Sequence, residues 1–383
     1  MNVLVFFAID DNKRLGPNVV FYNIFKNLWG SGPDSVGRGS FSNKNDEFKF
    51  VIVYRKGYIE NEKKDFVDYF YVNFYDYFHF VIEVSKIYSL LRRKYKGWRI
   101  KFFYPKPMLL PFNVDQYAFL YDLPMEKIFL GKSINDLKKE FVFKKLVWKN
   151  MKKLFTISYS SFCDIKGITG LDNLDWFYLG VDRDVFRVIP DYKDYLRRIF
   201  EERGIFFNWD YFFAPVGKIW FRKNVLNLVK AFNNFRKHIR SNVKLVMTAN
   251  NLNDKNEYID SVKSNSNEDI VFLSGLNTEE MVYLYNGCLG VIFPSLYEGF
   301  GLPILEALAC KKNVLFSDIK VFKEIYPDNK WIFNPLSVED ISNCLLNFYN
   351  EKGFLENSRI LDRDIDKFSW RSVVENIIMK VKE

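Results

Sequence analysis

Short apolar runs alternate with amphipathic stretches along this chain, and that alternation constrains the fold more than any other feature. From residue 211 the order is YFFAPVG (211–217), NVLNLVKAFNNFRKHI (224–239), VKLVMTA (243–249), DIVFLSG (269–275) and NTEEMVYLYNGC (277–288). GCLGVIFPS (287–295), NVLFSD (313–318) and VEDISNCLLNFYNE (338–351) follow. Runs that are apolar throughout predict strands buried on both faces, and the intervening helical periodicity predicts crossovers that cover a parallel sheet. Asn277 or Thr278 is the expected cap of the 277–288 helix. Upstream, 2–9, 48–55, 78–84, 100–105, 118–124, 155–158 and 176–181 read as strands. Residues 18–29, entered through Gly16-Pro17, and 133–154 read as helices. A chain of 383 residues suits two such domains. The junction is expected near 197–209, giving 1–205, 206–365 and a terminal helix over 366–383.

One stretch combines a strand, a glycine turn and a helix: FPSLYEGFGLPILEALAC (293–310). Gly299 and Gly301 permit close approach of backbone to a ligand. Pro303 suits the first position of the following helix, whose free N–H groups make an anion site. Glu298 is expected in the turn and Glu306 in the first helical turn, where the helix dipole would favour it by about 0.3–1 kcal/mol. Two acids beside an anion site call for a ligand that offers hydroxyls as well as phosphate, as a nucleotide sugar does.

The net charge of +9 suits either solubility or attraction to phosphates, on a small ligand or on a surface. The four cysteines, Cys163, Cys288, Cys310 and Cys344, lack metal-ligand spacing and suggest no disulfide framework. Cys288 and Cys310 read as core residues, and a reducing cytoplasmic compartment is expected. MNVLVFFAID reads as a first buried strand rather than a signal peptide, and no run is apolar for long enough to predict a membrane span. His79 reads as a core histidine and His238 as a surface one. No nucleic-acid-binding motif is present, so no nucleic-acid partner is expected.

The acidic stretch resembles the E-x7-E motif of retaining glycosyltransferases of the GT-B fold, most closely family 4, with Glu298 and Glu306 at that spacing. Other segments match in the family's order: PVGKIWFRKNVLNLVKAF (215–232), DIVFLSGLNTEEMVYLYNGC (269–288), FTISYSS (155–161), FYLGVDRDVF (177–186) and FSWRSVVENII (368–378). The resemblance covers most of 155–383 well and 1–154 loosely. It implies an α/β protein with two Rossmann-like doubly wound domains facing a cleft, and a C-terminal helix crossing back to the N-terminal domain. It implies transfer of a hexose from a nucleotide diphosphate sugar to an acceptor hydroxyl, on a glycan, lipid or protein, with retention. No metal and no other cofactor is expected. Glu306 would bind donor ribose hydroxyls, and Glu298 the donor sugar or the positive charge that develops on it. Lys218 and Lys223 would hold the diphosphate. Gly16, Gly217, Leu276, Phe300, Gly301 and Leu302 would complete the donor site.

Three departures stand out. Lys218 occupies the place of a common arginine, Lys311-Lys312-Asn313 replaces a glycine-x-proline turn, and Tyr121-Asp122 stands where family members often carry a histidine followed by an acid. These leave a second reading open: a catalytically inactive nucleotide-sugar or anionic-surface binding protein on the same fold. The lysine-rich 133–154 helix reads either as an amphipathic helix with a solvated basic face or as a contact for an anionic membrane or acceptor.

Overall fold

This computed structural model describes residues 2–8, 20, 23, 24, 27, 48–55, 68–72, 77–108, 110–124, 128, 130–353 and 363–382. Gly16 and Pro17 lie outside the described residues. Of the expected 18–29 helix, Val20, Asn23, Ile24 and Asn27 are described, and all four are helical. The chain divides into two compact units, one of residues 1–123, 132–178 and 370–383, the other of 124–131 and 179–369. Residues 179–205 thereby lie with the second unit.

The first unit is built on a seven-stranded parallel sheet. Its strands are β1 (Asn2–Ala8), β2 (Phe48–Arg55), β3 (Asp68–Val72), β4 (Arg99–Tyr104), β5 (Asp115–Phe119), β6 (Lys153–Thr156) and β7 (Leu174–Trp176), ordered β3-β2-β1-β4-β5-β6-β7. The run VLVFF explains why β1 is central: Val3 to Phe7 are fully buried between parallel neighbours β2 and β4. Each such side chain contributes about 1.5–3 kcal/mol by burial.

Two expectations for this unit are corrected. The 78–84 segment is part of helix α1 (Tyr77–Lys94), not a strand. Its buried residues Phe80, Val84, Ile87 and Leu91 recur at helical spacing. The single helix over 133–154 is instead α2 (Ile134–Glu140) and α3 (Val142–Lys149), broken at Phe141, with β6 already under way at Lys153. The break lets Leu137, Phe141 and Trp148 all bury, with Phe141 and Trp148 stacked at 5.6 Å. Ser133 caps α2 in a capping box with Asp136. The helix α4 (Tyr159–Thr169) follows β6, capped by Ser158.

The second unit carries the parallel strands β8 (Asp210–Gly217), β9 (Val243–Ala249), β10 (Ile270–Leu273), β11 (Gly290–Phe293), β12 (Val314–Ser317) and β13 (Ile332–Phe333), ordered β10-β9-β8-β11-β12-β13. Its helices are α5 (Lys193–Glu201), α6 (Val225–Arg236), α7 (Glu257–Asn265), α8 (Thr278–Gly287), α9 (Leu302–Ala309), α10 (Lys320–Ile325), α11 (Val338–Asn350) and the short α12 (Arg363–Asp366). Asn277 caps α8 and forms a capping box with Glu280. The core on one face of the sheet packs Phe212 of β8, Phe232 and Phe235 of α6, Trp331 just before β13 and Phe348 of α11. Helix α5 and the turn after it join α8 through the Tyr195–Tyr283 stack at 4.5 Å and the Arg203–Glu280 pair at 2.8 Å. The last helix, α13 (Trp370–Lys382), belongs to the first unit: Lys101 Nζ donates to Val381 O at 2.5 Å and Lys380 pairs with Asp175 at 2.6 Å.

Candidate functional site

In the second sheet the strand order reverses between β8 and β11, and ligands of doubly wound sheets bind beyond the carboxyl ends of the strands at such a point. Two loops leave there, 217–224 after β8 and 294–301 after β11. Gly217 turns the first at φ 72, with its N–H donating to Thr248 Oγ1 at 2.9 Å. A single 3-10 turn, Phe221–Lys223, ends at Asn224, whose φ of 55 is one of the left-handed conformations that asparagine tolerates. The Asn224 amide donates to Pro294 O at 3.0 Å and Pro335 O at 2.7 Å, and Leu296 N–H donates to Arg222 O at 2.8 Å. These bonds lace the two loops together.

Glu298 is the centre of that lacing. Its Oε1 accepts from Lys223 Nζ at 2.7 Å and from Ser295 Oγ at 2.8 Å, and its Oε2 pairs with Arg222 Nη1 at 2.7 Å. Burial alone would raise its pKa; the charges of Lys223 and Arg222 overcome that and hold the carboxyl below the ordinary glutamate value. Lys223 also lies over the Phe293 ring, 4.9 Å from its centroid.

Glu306 has the opposite environment. It is half-buried on α9, and its Oε2 accepts from the Tyr285 hydroxyl at 2.6 Å. Burial pushes its pKa up to about 7, against the lowering effect of the Tyr285 bond. It is the fifth residue of α9, whose first turn holds no acid. The expectation of a dipole-stabilised acid in that turn is therefore corrected. Pro303 stands second in the helix rather than first, and Gly301 precedes it as the cap at φ 147. A Cβ on Gly301 would meet Ile304 Cδ1 and Phe322 Cε1, each at 3.2 Å, so side-chain packing also asks for glycine here.

The structure thus brings Lys223, Glu298, Phe300, Gly301, Leu302 and Glu306 into one loop-and-helix cluster. Phe300 is buried with its ring 6.0 Å from Phe368. Lys218 is half-buried on the β8 loop with its ammonium 5.6 Å from the Trp220 ring centroid. Leu276 is half-buried in the loop after β10. Tyr121 and Asp122 belong to the first unit, just past β5, with Tyr121 half-buried and stacked on Phe119 at 5.3 Å and Asp122 exposed. Gly16 is outside the described residues. His238 is exposed, and Cys288 and Cys310 are buried, as expected.

Sequence reasoning missed Arg222, Ser295 and Tyr285. Arg222 adjoins Lys223 in sequence and Ser295 lies three residues before Glu298, so both were within reach; Tyr285 carried no local signal. The Lys311 departure also has a structural consequence. Lys311 follows α9 at φ 55, a left-handed position at which glycine is usual.

Among the described residues no group of three or more His, Cys, Asp or Glu side chains is placed to hold a metal ion, and no helix is long and apolar enough to cross a membrane.

Residues 199–362 match the family described as glycosyl transferases group 1. The chain is 29% identical over 166 residues to the serotype-specific mannosyltransferase WbdA of Escherichia coli, covering 42% of this chain and 20% of that protein. It is 27% identical over 177 residues to O-antigen chain mannosyltransferase B of Escherichia coli, covering 45% and 46%. The chain therefore spans less than half the length of these relatives. Among solved structures, sucrose-phosphate synthase of Thermosynechococcus elongatus superposes with a TM-score of 0.70 at 13% identity, over 100% of this chain and 98% of that one. The two parallel sheets are those of the GT-B fold, and the second unit carries the segment that matches group 1 glycosyl transferases.

Proposed function

We propose that the chain is a retaining glycosyltransferase of the family 4 kind, moving a hexose from a nucleotide diphosphate sugar to an acceptor hydroxyl. One observation carries this reading. A buried, ionised Glu298 is braced by two cations immediately before a glycine-capped helix start, and the same helix presents the half-buried Glu306. The matched relatives are named as mannosyltransferases, which supports a mannose-type hexose on the donor.

In this mechanism the bond between the anomeric carbon and the diphosphate oxygen breaks, and the electron pair leaves with the diphosphate. The acceptor oxygen bonds to the same face of the carbon, and its proton passes to the departing phosphate oxygen. Lys218, Lys223 and the N–H groups of Phe300, Gly301 and Leu302 stabilise the charge on the leaving group, which is the main electrostatic demand of the step. Because these groups supply that charge, the mechanism calls for no metal cofactor. Glu298 faces the sugar, Glu306 accepts from ribose hydroxyls, and Gly217 and Leu276 line the nucleotide. Tyr121 and Asp122 are the first unit's candidate side chains for the reaction.

The four free cysteines suit a cytoplasmic protein. Peripheral contact with an anionic membrane is supported by Ile134, Val142 and Leu146, each more than half exposed, beside exposed Lys138, Lys139, Lys144 and Lys149.

The test is release of nucleoside diphosphate from a panel of UDP-, GDP- and ADP-sugars, with nucleotide binding read on the same samples. One donor should support release, and Glu298→Ala and Glu306→Ala should each lower it by about a hundredfold or more. Neither release nor binding with any donor would overturn the proposal.

A further inference from the structure

The two cations on Glu298 are not equivalent. The Arg222 guanidinium is fastened to the acidic loop. Its Nη1 reaches both Glu298 Oε2 at 2.7 Å and Tyr297 O at 3.3 Å, while its own backbone carbonyl accepts from Leu296 N–H at 2.8 Å. Lys223 meets the carboxylate at its other oxygen, Oε1, at 2.7 Å, through a flexible stem ending in a compact point charge. The carboxylate is divided between them: Oε2 faces Arg222, and Oε1 faces Lys223 and the neutral Ser295 hydroxyl at 2.8 Å. Lys223 and Arg222 are the charged groups whose pull on Glu298 outweighs its burial.

This division matters once a diphosphate arrives. An ammonium drawn to phosphate gives up its bond to Oε1. With Lys223 as its sole counter-ion the buried carboxylate would then be driven towards protonation, since burial by itself raises its pKa. Arg222 removes that conflict because it stays with the loop. We propose that Arg222 is a positioning residue that keeps Glu298 oriented on the sugar side while Lys223 transfers to the donor diphosphate. The inference rests on the transferase reading above and adds a division of labour between adjacent cations.

The experiment measures turnover at saturating donor against pH for the intact protein, Arg222→Met, Arg222→Lys and Lys223→Met, together with nucleoside diphosphate affinity. Saturation removes binding effects of Glu306 from the comparison. In Arg222→Met the acid limb of turnover should move up by about one pH unit or more, because an adjacent opposite charge lowers a carboxylate pKa by about 1–3. Its nucleoside diphosphate affinity should stay within about threefold of the intact protein's, whereas Lys223→Met should lose about tenfold or more, the size of one charged hydrogen bond. Arg222→Lys, which keeps the charge, should restore the acid limb. An unmoved acid limb in Arg222→Met, or a loss of diphosphate affinity equal to that of Lys223→Met, would overturn the assignment and make Arg222 a structural or phosphate-binding residue. If the intact protein neither releases nor binds nucleoside diphosphate, the transferase reading fails first, and this assignment falls with it.

Discussion

Replacing Glu306 by glutamine should stabilise the protein at neutral and alkaline pH and leave it unchanged in acid. The folded carboxyl holds its proton up to about pH 7, whereas its ordinary value is 4.5. Protonation therefore favours the folded state. That contribution is complete below pH 4.5 and is lost as pH rises through 7. At about 1.4 kcal/mol per pH unit, ionising Glu306 costs the folded protein on the order of 3 kcal/mol at pH 8. Glutamine keeps an oxygen to accept from Tyr285 and carries no charge to bury. Glu306→Gln should then gain about 2–3 kcal/mol at about pH 8, or about 4–10 °C in the unfolding midpoint, and less than about 1 kcal/mol at about pH 5. Urea unfolding followed by tryptophan fluorescence at the two pH values reads this directly. An equal difference at both pH values, or a loss of stability at the higher one, would refute burial as the cause of the raised pKa.

Lys311→Gly should raise stability by about 1 kcal/mol, because Lys311 holds a left-handed φ of 55 that costs a residue with a Cβ about that much; thermal unfolding would register it. Substituting Val142→Glu and Leu146→Glu should abolish sedimentation with vesicles that contain anionic lipid, while neutral vesicles should bind neither the variant nor the intact protein. Binding to neutral vesicles as strong as to anionic ones would remove the role of the neighbouring lysines.

Legibility in the sequence followed the range of the interaction. Five strands of the second sheet are readable because each is a largely apolar run of the right length, and VKLVMTA is β9 to the residue, whereas the two-residue β13 is too short to leave a pattern. The 78–84 segment reads as a strand because five of its seven residues are Phe, Val or Ile, which look like a buried strand in a short window. Only across the 18 residues of α1 does the Phe80, Val84, Ile87, Leu91 stripe declare itself. The break at Phe141 had no glycine or proline to mark it; packing of Phe141 on Trp148 decides it. In the site, the two glutamates and Lys223 were found from spacing and resemblance. Their partners were not: Arg222 meets Glu298 across 76 positions and Tyr285 meets Glu306 across 21, distances at which no periodicity speaks.

On the proposed reading, the contrast between the two acids lets one loop and one helix orient the donor. Glu298 sits with two cations, so its cluster carries one surplus positive charge and offers a place to an anion. Glu306, eight positions on, is met by a neutral phenol and is costly to ionise. Environments that push two carboxyl pKa values apart assign them different tasks. A ligand with phosphate at one end of this cluster and hydroxyls at the other satisfies both, and the reversed ligand satisfies neither. It would bring negative charge to an acid that already resists ionisation and leave the surplus cation without a partner. On the proposed reading, the instability that Glu306 imposes at neutral pH is the local cost of holding an acceptor ready for donor hydroxyls, a trade of stability for function that the glutamine substitution tests from the stability side.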